Sequence, residues 1–240
     1  MTVQSSPNSA RVPAAVCPGD PRQLNRLIRD AFAGYAGSSG HPCLGARSVV
    51  HDGSFRLQVL SRLGTPAAAR VLVRSLSSFA QKSAYMDAAF SSFVVVFREP
   101  TELTAADFHQ LLWRQLQLLH DYDRLTYRWD PSVSSDPDDP HFSFSIAGRA
   151  FFVIGLHPAR PKWARRFSWP CLVFNPHRQF ADLRANGKFP RMRELIRERD
   201  RRLQGTENPG LADFGESSEA RQCSGFAAPA NWRCPLHVPG

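Results

Sequence analysis

Two apolar runs that lie close together in the chain constrain its fold more than any other feature. Residues 150–156 read AFFVIGL and residues 170–175 read PCLVFN, with a Pro- and Arg-rich loop between them. Short runs of Phe, Val and Ile bounded by Pro and Gly are typical of core β-strands. Polar residues stand at the ends of these runs, where a β scaffold commonly presents functional side chains. The stretch from Asp130 to Asn175 is therefore predicted to contain both a strand pair and a site.

The flanking sequence predicts helices and further strands around this pair. Apolar residues recur at helical spacing after several capping signals, among them a capping box at Thr104 and Asp107. The predicted helices cover residues 21–35, 66–85, 105–123, 176–187 and 190–203. A buried strand is predicted at 93–97 and a hairpin at 48–60, with its turn at 51–53. These elements predict an α+β fold, a single domain over residues 21–240 with a mostly antiparallel sheet flanked by helices. Residues 1–20, which are rich in Ser, Pro and Ala, are expected to form a flexible N-terminal arm.

The composition narrows the classes of partner. The chain of 240 residues carries a formal net charge of +9, which favours anionic partners such as nucleic acid, acidic lipid or a carboxylate-bearing cofactor. Nucleic acid is disfavoured because the Arg clusters lack interleaved aromatic residues. Five Cys without a CxxC pair predict neither a zinc site nor a disulfide framework. Neither a secretion signal nor an apolar run of about 18 residues is present, so a cytoplasmic protein without a membrane partner is expected.

Two histidines stand at the ends of the predicted strand pair. His157 follows the first run and His177 follows the second. An imidazole at a strand end is well placed to act as a metal ligand or a base, although a lone His is more commonly structural. If the runs pair as a hairpin, about six residues at roughly 3.3 Å each place the two histidines about 20 Å apart. They are therefore rivals for one metal and not joint ligands.

Carboxylates cluster at two further places. Asp136, Asp138 and Asp139 crowd a turn that is most simply structural, the alternatives being a hard-cation site or a clamp for a cationic substrate. Glu216 and Glu219 lie in the C-terminal segment, where a solvated loop is the simpler interpretation. Paired carboxylates beside a pocket would hold a guanidinium by charge-assisted hydrogen bonds.

A series of short motifs resembles the YqcI/YcgG family, in the branch that contains haem-dependent arginine and guanidino N-hydroxylases of the cycloserine and guanitoxin pathways. The motifs run in a consistent order: PCLG at 42–45, WD at 129–130, DPDDP at 136–140, FSFS at 142–145, GLHP at 155–158, ARRF at 164–167, LVFN at 172–175, His177, QF at 179–180, QG at 204–205, NP at 208–209, DFGE at 213–216, SEARQ at 218–222 and WRCP at 232–235.

The resemblance implies a haem b protein that activates dioxygen and hydroxylates a guanidino or amino nitrogen of arginine or a related small cationic amino acid. It further implies that His157 is the iron ligand, with His177 as the alternative. By the same resemblance, a cluster of arginines would bind the haem propionates, and a carboxylate pair would hold the substrate. The arginines are Arg160, Arg165 and Arg166, and the carboxylates are Glu219 and Glu216. An external electron donor is also required.

Two segments depart from the family pattern. The loop after the HP pair reads ARPKW at 159–163, where the family usually has Ser-Ser-Arg or Ala-Ser-Arg. The segment QCSGF at 222–226 replaces Gln-Tyr-Ser-Gly-Arg, which removes a hydroxyl donor and a guanidinium donor. A haem-binding or gas-sensing protein without turnover is therefore the alternative function. Two large aromatic faces on one sheet would need cover, which favours a homodimer.

Overall fold

The protein folds around a five-stranded sheet with helices on both faces. The structure, a computed structural model, describes residues 20–83, 89–205, 214–225, 229 and 231–239. The predicted N-terminal arm lies almost wholly outside these residues. In chain order the elements are α1 (Pro21–Gly37), α2 (Leu44–His51), β1 (Phe55–Arg62), α3 (Pro66–Ser83), β2 (Ser92–Glu99), α4 (Ala105–Asp123), β3 (Phe144–Ile146), β4 (Arg149–Leu156), β5 (Cys171–Pro176), α5 (His177–Ala185), α6 (Phe189–Gln204) and α7 (Ala220–Cys223), with a short 3₁₀ turn at Trp163–Arg165.

The sheet has the strand order β1-β2-β5-β4-β3, in which only the β1–β2 pair is parallel. This confirms the predicted α+β class and the mostly antiparallel sheet. The predicted pairing of the runs 150–156 and 170–175 is also confirmed. Strands β4 and β5 pair antiparallel, with Phe151 opposite Pro176 and Leu156 opposite Cys171. The central strand β2 is apolar and buried from Ser92 to Phe97, as expected for a strand that is covered on both faces.

Helices α3 and α4 cover one face of the sheet. The capping box of Thr104 and Asp107 begins α4, as the sequence predicted. Phe108, Leu112 and Leu116 of this helix are fully buried and pack with Phe residues of the sheet in one core cluster. The C-terminal segment packs over the same cluster through Trp232 and Leu236, so this part of the tail is attached to the domain.

Helices α1, α2, α5 and α6 lie over the other face. Asp20 caps α1 through its carboxylate, and Ile28, Phe32 and Ala36 of this helix pack on β1 and β2. Helix α6 is covered much less completely, because Asp200 is its one fully buried residue. Leu195 and Leu203 of this helix are each 39% exposed.

One predicted strand is wrong. Residues 48–50 were expected to form the first strand of a hairpin with 55–60, but they belong to the helix α2. Cys43 caps this helix, with its Sγ accepting a hydrogen bond from the Ala46 amide at 3.4 Å. Strand β1 instead pairs in parallel with β2, which lies beyond the intervening helix α3. The β-branched pair Val49–Val50 favours a strand locally, and tertiary packing of Val49 overrides that preference.

The short helix α7, which the sequence did not predict, contacts β4. Strand β3 pairs only with residues 149–151 of β4, so the remainder of that edge is open to this contact. Among the described residues, no helix is long and apolar enough to cross a membrane. The four described cysteines, Cys43, Cys171, Cys223 and Cys234, are free thiols.

Candidate functional site

A cavity of about 240 Å³ lies between the sheet and the helices α1, α2, α5 and α6. Its floor is formed by side chains that alternate along three strands and therefore share one face of the sheet. The roof includes Met192, Ile196 and Asp200, which follow one another at helical spacing on α6. Most of the lining is apolar and aromatic, and the charged members stand at the ends of the cavity and on α6. This arrangement suits a largely apolar ligand that carries charged groups.

An acidic cluster marks the end of the cavity near the start of α5. Glu219 lines the cavity, is 6% exposed, and has one oxygen, Oε2, without a hydrogen-bond partner among the described residues. Its Oε1 lies 3.9 Å from His177 Nε2, and the His177 ring packs on Phe214 with centroids 4.5 Å apart. The guanidinium of Arg184 lies over the Phe214 ring, 5.3 Å from its centroid.

The electrostatics of this cluster follow from burial. Burial raises the pKa of Glu219 to about 7, against the opposing effects of the nearby Ser143 hydroxyl and the positive charge of Arg184. Burial, and then Arg184, lower the pKa of His177 to about 4. The His177 ring is therefore neutral near pH 7, and its Nε2 has no hydrogen-bond partner among the described residues. A buried carboxylate with an unpartnered oxygen would be stabilised by a cationic ligand.

A basic cluster marks the other end. Arg165 lines the cavity and is 4% exposed, and its Nη1 donates to the Gln222 carbonyl at 2.5 Å. Arg160 is also buried, and its Nε has no hydrogen-bond partner in the described part of the chain. Burial, followed by the positive charge of Arg160, lowers the pKa of Arg165 to about 10. The structure thus brings together two of the three predicted arginines.

The third predicted arginine, Arg166, is on the surface. Its guanidinium donates to the carbonyls of Arg160 at 2.8 Å and Pro161 at 2.6 Å, so it holds the loop after β4 in shape. Glu216 is likewise exposed, unlike the buried Glu219 three residues later.

The two predicted histidines lie at opposite ends of the β4–β5 hairpin, and neither lines the cavity. His157 is 1% exposed and stacks on Phe108 of α4, with centroids 4.3 Å apart, so it faces the α3–α4 side of the sheet. Its Nδ1 has no hydrogen-bond partner among the described residues. Burial, and then Arg160, lower the pKa of His157 to about 4. His177 instead belongs to the Glu219 cluster.

The Asp-rich turn is held by its own hydrogen bonds. Asp136 Oδ1 accepts from the Asp138 amide at 3.0 Å, and Asp139 Oδ1 accepts from the His141 amide at 2.8 Å. Arg233 pairs with Asp138 at 2.9 Å. Within the described ranges, no group of three or more His, Cys, Asp or Glu residues is arranged to hold a metal ion.

The sequence did not single out His41 and Tyr35, which line the cavity near Arg165. The His41 ring packs on Tyr35 and Trp163, with centroids 5.2 and 5.6 Å apart, and Tyr35 donates its hydroxyl to the Trp163 carbonyl at 3.1 Å. His41 Nδ1 accepts from the Cys43 amide at 3.2 Å, so the neutral ring carries its proton on Nε2. The motif PCLG at 42–45 was the signal that pointed to this part of the chain.

Comparisons with known proteins agree on one family. The sequence model of the YqcI/YcgG family matches residues 32–237. The chain is 27% identical over 164 residues to a Bacillus subtilis (strain 168) protein described as "Uncharacterized protein YqcI". This alignment covers 66% of the chain and 63% of that protein, so the chain spans less than two thirds of its relative's length. No solved structure matches the chain.

Proposed function

Because the chain belongs to the YqcI/YcgG family, we propose that it is a haem-dependent oxygenase of the kind that its motifs resemble. The proposed substrate is arginine or a related small cationic amino acid, and a guanidino or amino nitrogen is the atom hydroxylated. The observation that carries the proposal is the buried carboxylate of Glu219 in an otherwise mostly apolar cavity, with Oε2 left unpartnered by the described residues.

Glu219 supports a cationic substrate on energetic grounds. Burial without a full set of partners destabilises a carboxylate, as the raised pKa of this residue indicates. A guanidinium offers two parallel N–H donors that match the two carboxylate oxygens. Binding such a group would satisfy Oε2 and hold one nitrogen of the substrate at a fixed place in the cavity.

The cavity lining supports a haem group. A porphyrin is flat and apolar with two carboxylates at its edge, and the cavity combines apolar walls with four arginines, Arg165, Arg184, Arg193 and Arg197. Haem, when bound, would supply the dioxygen chemistry, with electrons from an external donor. The residues of the chain would orient the substrate nitrogen, exclude water through the apolar walls and pair with the carboxylates.

The contact between Glu219 and His177 constrains the iron ligand. Because His177 Nε2 lies 3.9 Å from Glu219 Oε1, a substrate cation that pairs with Glu219 would lie beside His177, which favours His157 as the iron ligand. With Glu219 as the substrate residue, we propose His157 as the residue that would hold the iron and keep His177 as the alternative. His157 stacks on Phe108 of α4, on the sheet face opposite the cavity, so its side chain would have to turn away from α4 to reach a haem there. The assignment rests on unpartnered nitrogens, since neither histidine lines the cavity.

An absorption spectrum of the purified protein tests the cofactor. We expect a Soret band after expression with a haem supply, and a product one oxygen atom heavier when arginine, reductant and dioxygen are added. A protein without the band contradicts the proposal. A pigmented protein that converts no guanidino or amino substrate would instead be a haem-binding or gas-sensing protein. His157→Ala and His177→Ala are compared by haem content, and loss of pigment in His177→Ala alone overturns the assignment to His157.

Glu219→Gln tests the substrate contact. We expect arginine binding to weaken about 10- to 100-fold, because one charge-assisted hydrogen-bond pair contributes about 1.5–3 kcal/mol. Haem content should stay unchanged, since the carboxylate is assigned to the substrate. Calorimetric titration with arginine measures the affinity. Glu102→Gln, which removes an exposed carboxylate of equal charge, is the matched control. Unaltered affinity in Glu219→Gln would exclude this residue as the cation-binding group.

A further inference from the structure

Two buried guanidiniums lie side by side at one end of the cavity. Arg160 and Arg165 are 9% and 4% exposed, which is unusual for arginines without acidic partners. The positive charge of Arg160 contributes to the lowered pKa of Arg165, so the two groups repel each other. The thiols of Cys223 and Cys43 and the phenol of Tyr35 lie near Arg165, but burial raises the pKa of each, so they are neutral near pH 7 and do not offset this repulsion. In the described part of the chain, no carboxylate ion-pairs with either arginine.

Gly225 makes room for this pair. Its backbone is left-handed, with φ +66°, and a Cβ placed on it would lie 2.6 Å from Arg160 Nη2 and 3.0 Å from Arg165 Nη1. Both guanidiniums therefore converge on one point beside the glycine, and any larger residue would displace them. The carbonyl of Gln222 fixes Arg165 in this place, whereas Arg160 Nε has no hydrogen-bond partner among the described residues.

We propose that Arg160 and Arg165, converging beside Gly225, form a carboxylate-binding subsite at this end of the cavity. Two forked guanidiniums offer parallel N–H donors to a planar carboxylate, and a bound anion would relieve their mutual repulsion. Arg165 lines the cavity, whereas Arg160 does not line it and meets Arg165 beside Gly225. The inference rests on the proposed function, in which both ligands carry carboxylates.

Helix α7 sets the spacing between this subsite and the acidic cluster. Glu219 immediately precedes α7, and Arg165 bonds to the carbonyl of Gln222, near the other end of the helix. Glu219 and Gln222 are three residues apart, about 4.5 Å along the helix axis. A bipolar ligand with a cation at one end and a carboxylate at the other, such as an arginine molecule, would pair with both clusters. The carboxylate has two candidate sources, the amino-acid substrate and the haem edge.

The first arm of the test needs no variant. Calorimetric titration of the wild-type protein compares arginine with agmatine, which has the same guanidinium and no carboxylate. If the subsite takes the substrate carboxylate, arginine binds about 10- to 100-fold more tightly than agmatine. Arg160→Gln then brings the two affinities close together without loss of haem. If the subsite takes a haem carboxylate, Arg160→Gln lowers haem retention and leaves the arginine-to-agmatine ratio unchanged.

Two further variants serve as controls, Arg160→Lys for the shape of the guanidinium and Arg62→Gln for loss of an arginine elsewhere. The lysine variant keeps the charge and loses the planar fork, so we expect it to restore only part of the effect. Arg62→Gln removes an exposed guanidinium that pairs with Glu99 on the surface, and should change neither readout. Thermal melting checks that each variant is folded. Arg160→Gln protein that keeps both its haem and its preference for arginine overturns the subsite.

Different results would contradict the proposed function and the proposed subsite. A wild-type protein without haem and without product contradicts the proposed function, and a preference for arginine over agmatine that depends on Arg160 would still support the subsite. A wild-type protein that binds neither haem, arginine nor acetate as a simple carboxylate probe overturns both.

Discussion

Helices of similar length cover the two faces of the sheet, but they bury very different numbers of residues. On one face, α4 buries eight of its 19 residues against the Phe-rich core. On the other, α6 has 16 residues, and Asp200 is the one that is fully buried. The cavity lies beneath α6, and the charged groups of the candidate site gather at its ends.

The difference shows how this fold separates stability from ligand binding. The α4 face is close-packed, so it holds the strands of the sheet in place. The α6 face leaves space, and the strand ends and α7 present Arg165 and Glu219 into it. A site on this face gains a rigid floor from the opposite core, while the helix above it is held by fewer contacts.

The largest expected effect is a truncation on the packed face. Leu112→Ala should lower the free energy of unfolding by about 2–5 kcal/mol, because Leu112 is fully buried and its loss leaves a void. Ile196→Ala on α6 should cost about 1 kcal/mol, since that side chain is half-buried and already borders a cavity. Urea denaturation of both variants measures the difference. Equal losses would contradict the contrast between the faces.

An intermediate effect is expected from pH on the cavity face. Burial lowers the pKa of His41 from its usual value to about 4, and the positive charges of Arg199 and Arg47 act in the same direction. Between pH 6.5 and pH 4 the unfolded chain therefore binds a proton on His41 that the folded chain does not. This contribution to stability is complete above pH 6.5 and decreases as the pH falls towards 4, by on the order of 2–3 kcal/mol.

His41→Gln removes this pH dependence. Urea denaturation at pH 7.5 and pH 4.5 should show that the variant loses less stability than the wild type on acidification. The cost of Leu112→Ala should be similar at both pH values, because that side chain does not titrate. A His41→Gln variant with the same pH dependence as the wild type would show that His41 remains accessible to protons in the folded state.

The smallest expected effect concerns the attachment of α6. The guanidinium of Arg199 donates to the carbonyls of Ser39 and, at 3.1 Å, His41, and so joins α6 to the loop before α2. Arg199→Ala should cost about 0.5–1.5 kcal/mol. Amide hydrogen exchange should increase in α6 and remain unchanged in α4. Faster exchange in both helices would indicate global destabilisation and not local detachment.

The sequence predicted much of the scaffold because its signals are local. The Thr104–Asp107 capping box, the apolar run at 93–97 and the Pro- and Gly-bounded runs of the hairpin each specify structure within a few residues. The separation of His157 from His177 also followed from strand geometry alone. The strand predicted at 48–50 failed because Val49 is buried by packing against distant residues in a helix, which β-propensity does not represent.

The candidate site was predicted only in part. Glu219 was singled out as one of a carboxylate pair and Arg165 was named with the resemblance, and the structure places both in one cavity. The sequence did not predict that Glu219 and Arg165 are buried whereas Glu216 and Arg166 are exposed. That difference depends on how the loop after β4 and the four-residue helix α7 are oriented on the sheet. His41 was missed because its environment comes from Tyr35 and Trp163, and Trp163 is more than 100 residues away in the chain.

The sequence by itself determined the α+β class, the β4–β5 hairpin and the family, because alternation, capping and short motifs are encoded between near neighbours. Only the tertiary structure decided that His157 faces α4 and that Arg160 and Arg165 converge beside Gly225. It also decided that Glu219 shares a buried contact with His177. These three contacts join segments that are far apart in the sequence. Which side chains are buried together therefore depends on long-range packing and not on local sequence signals.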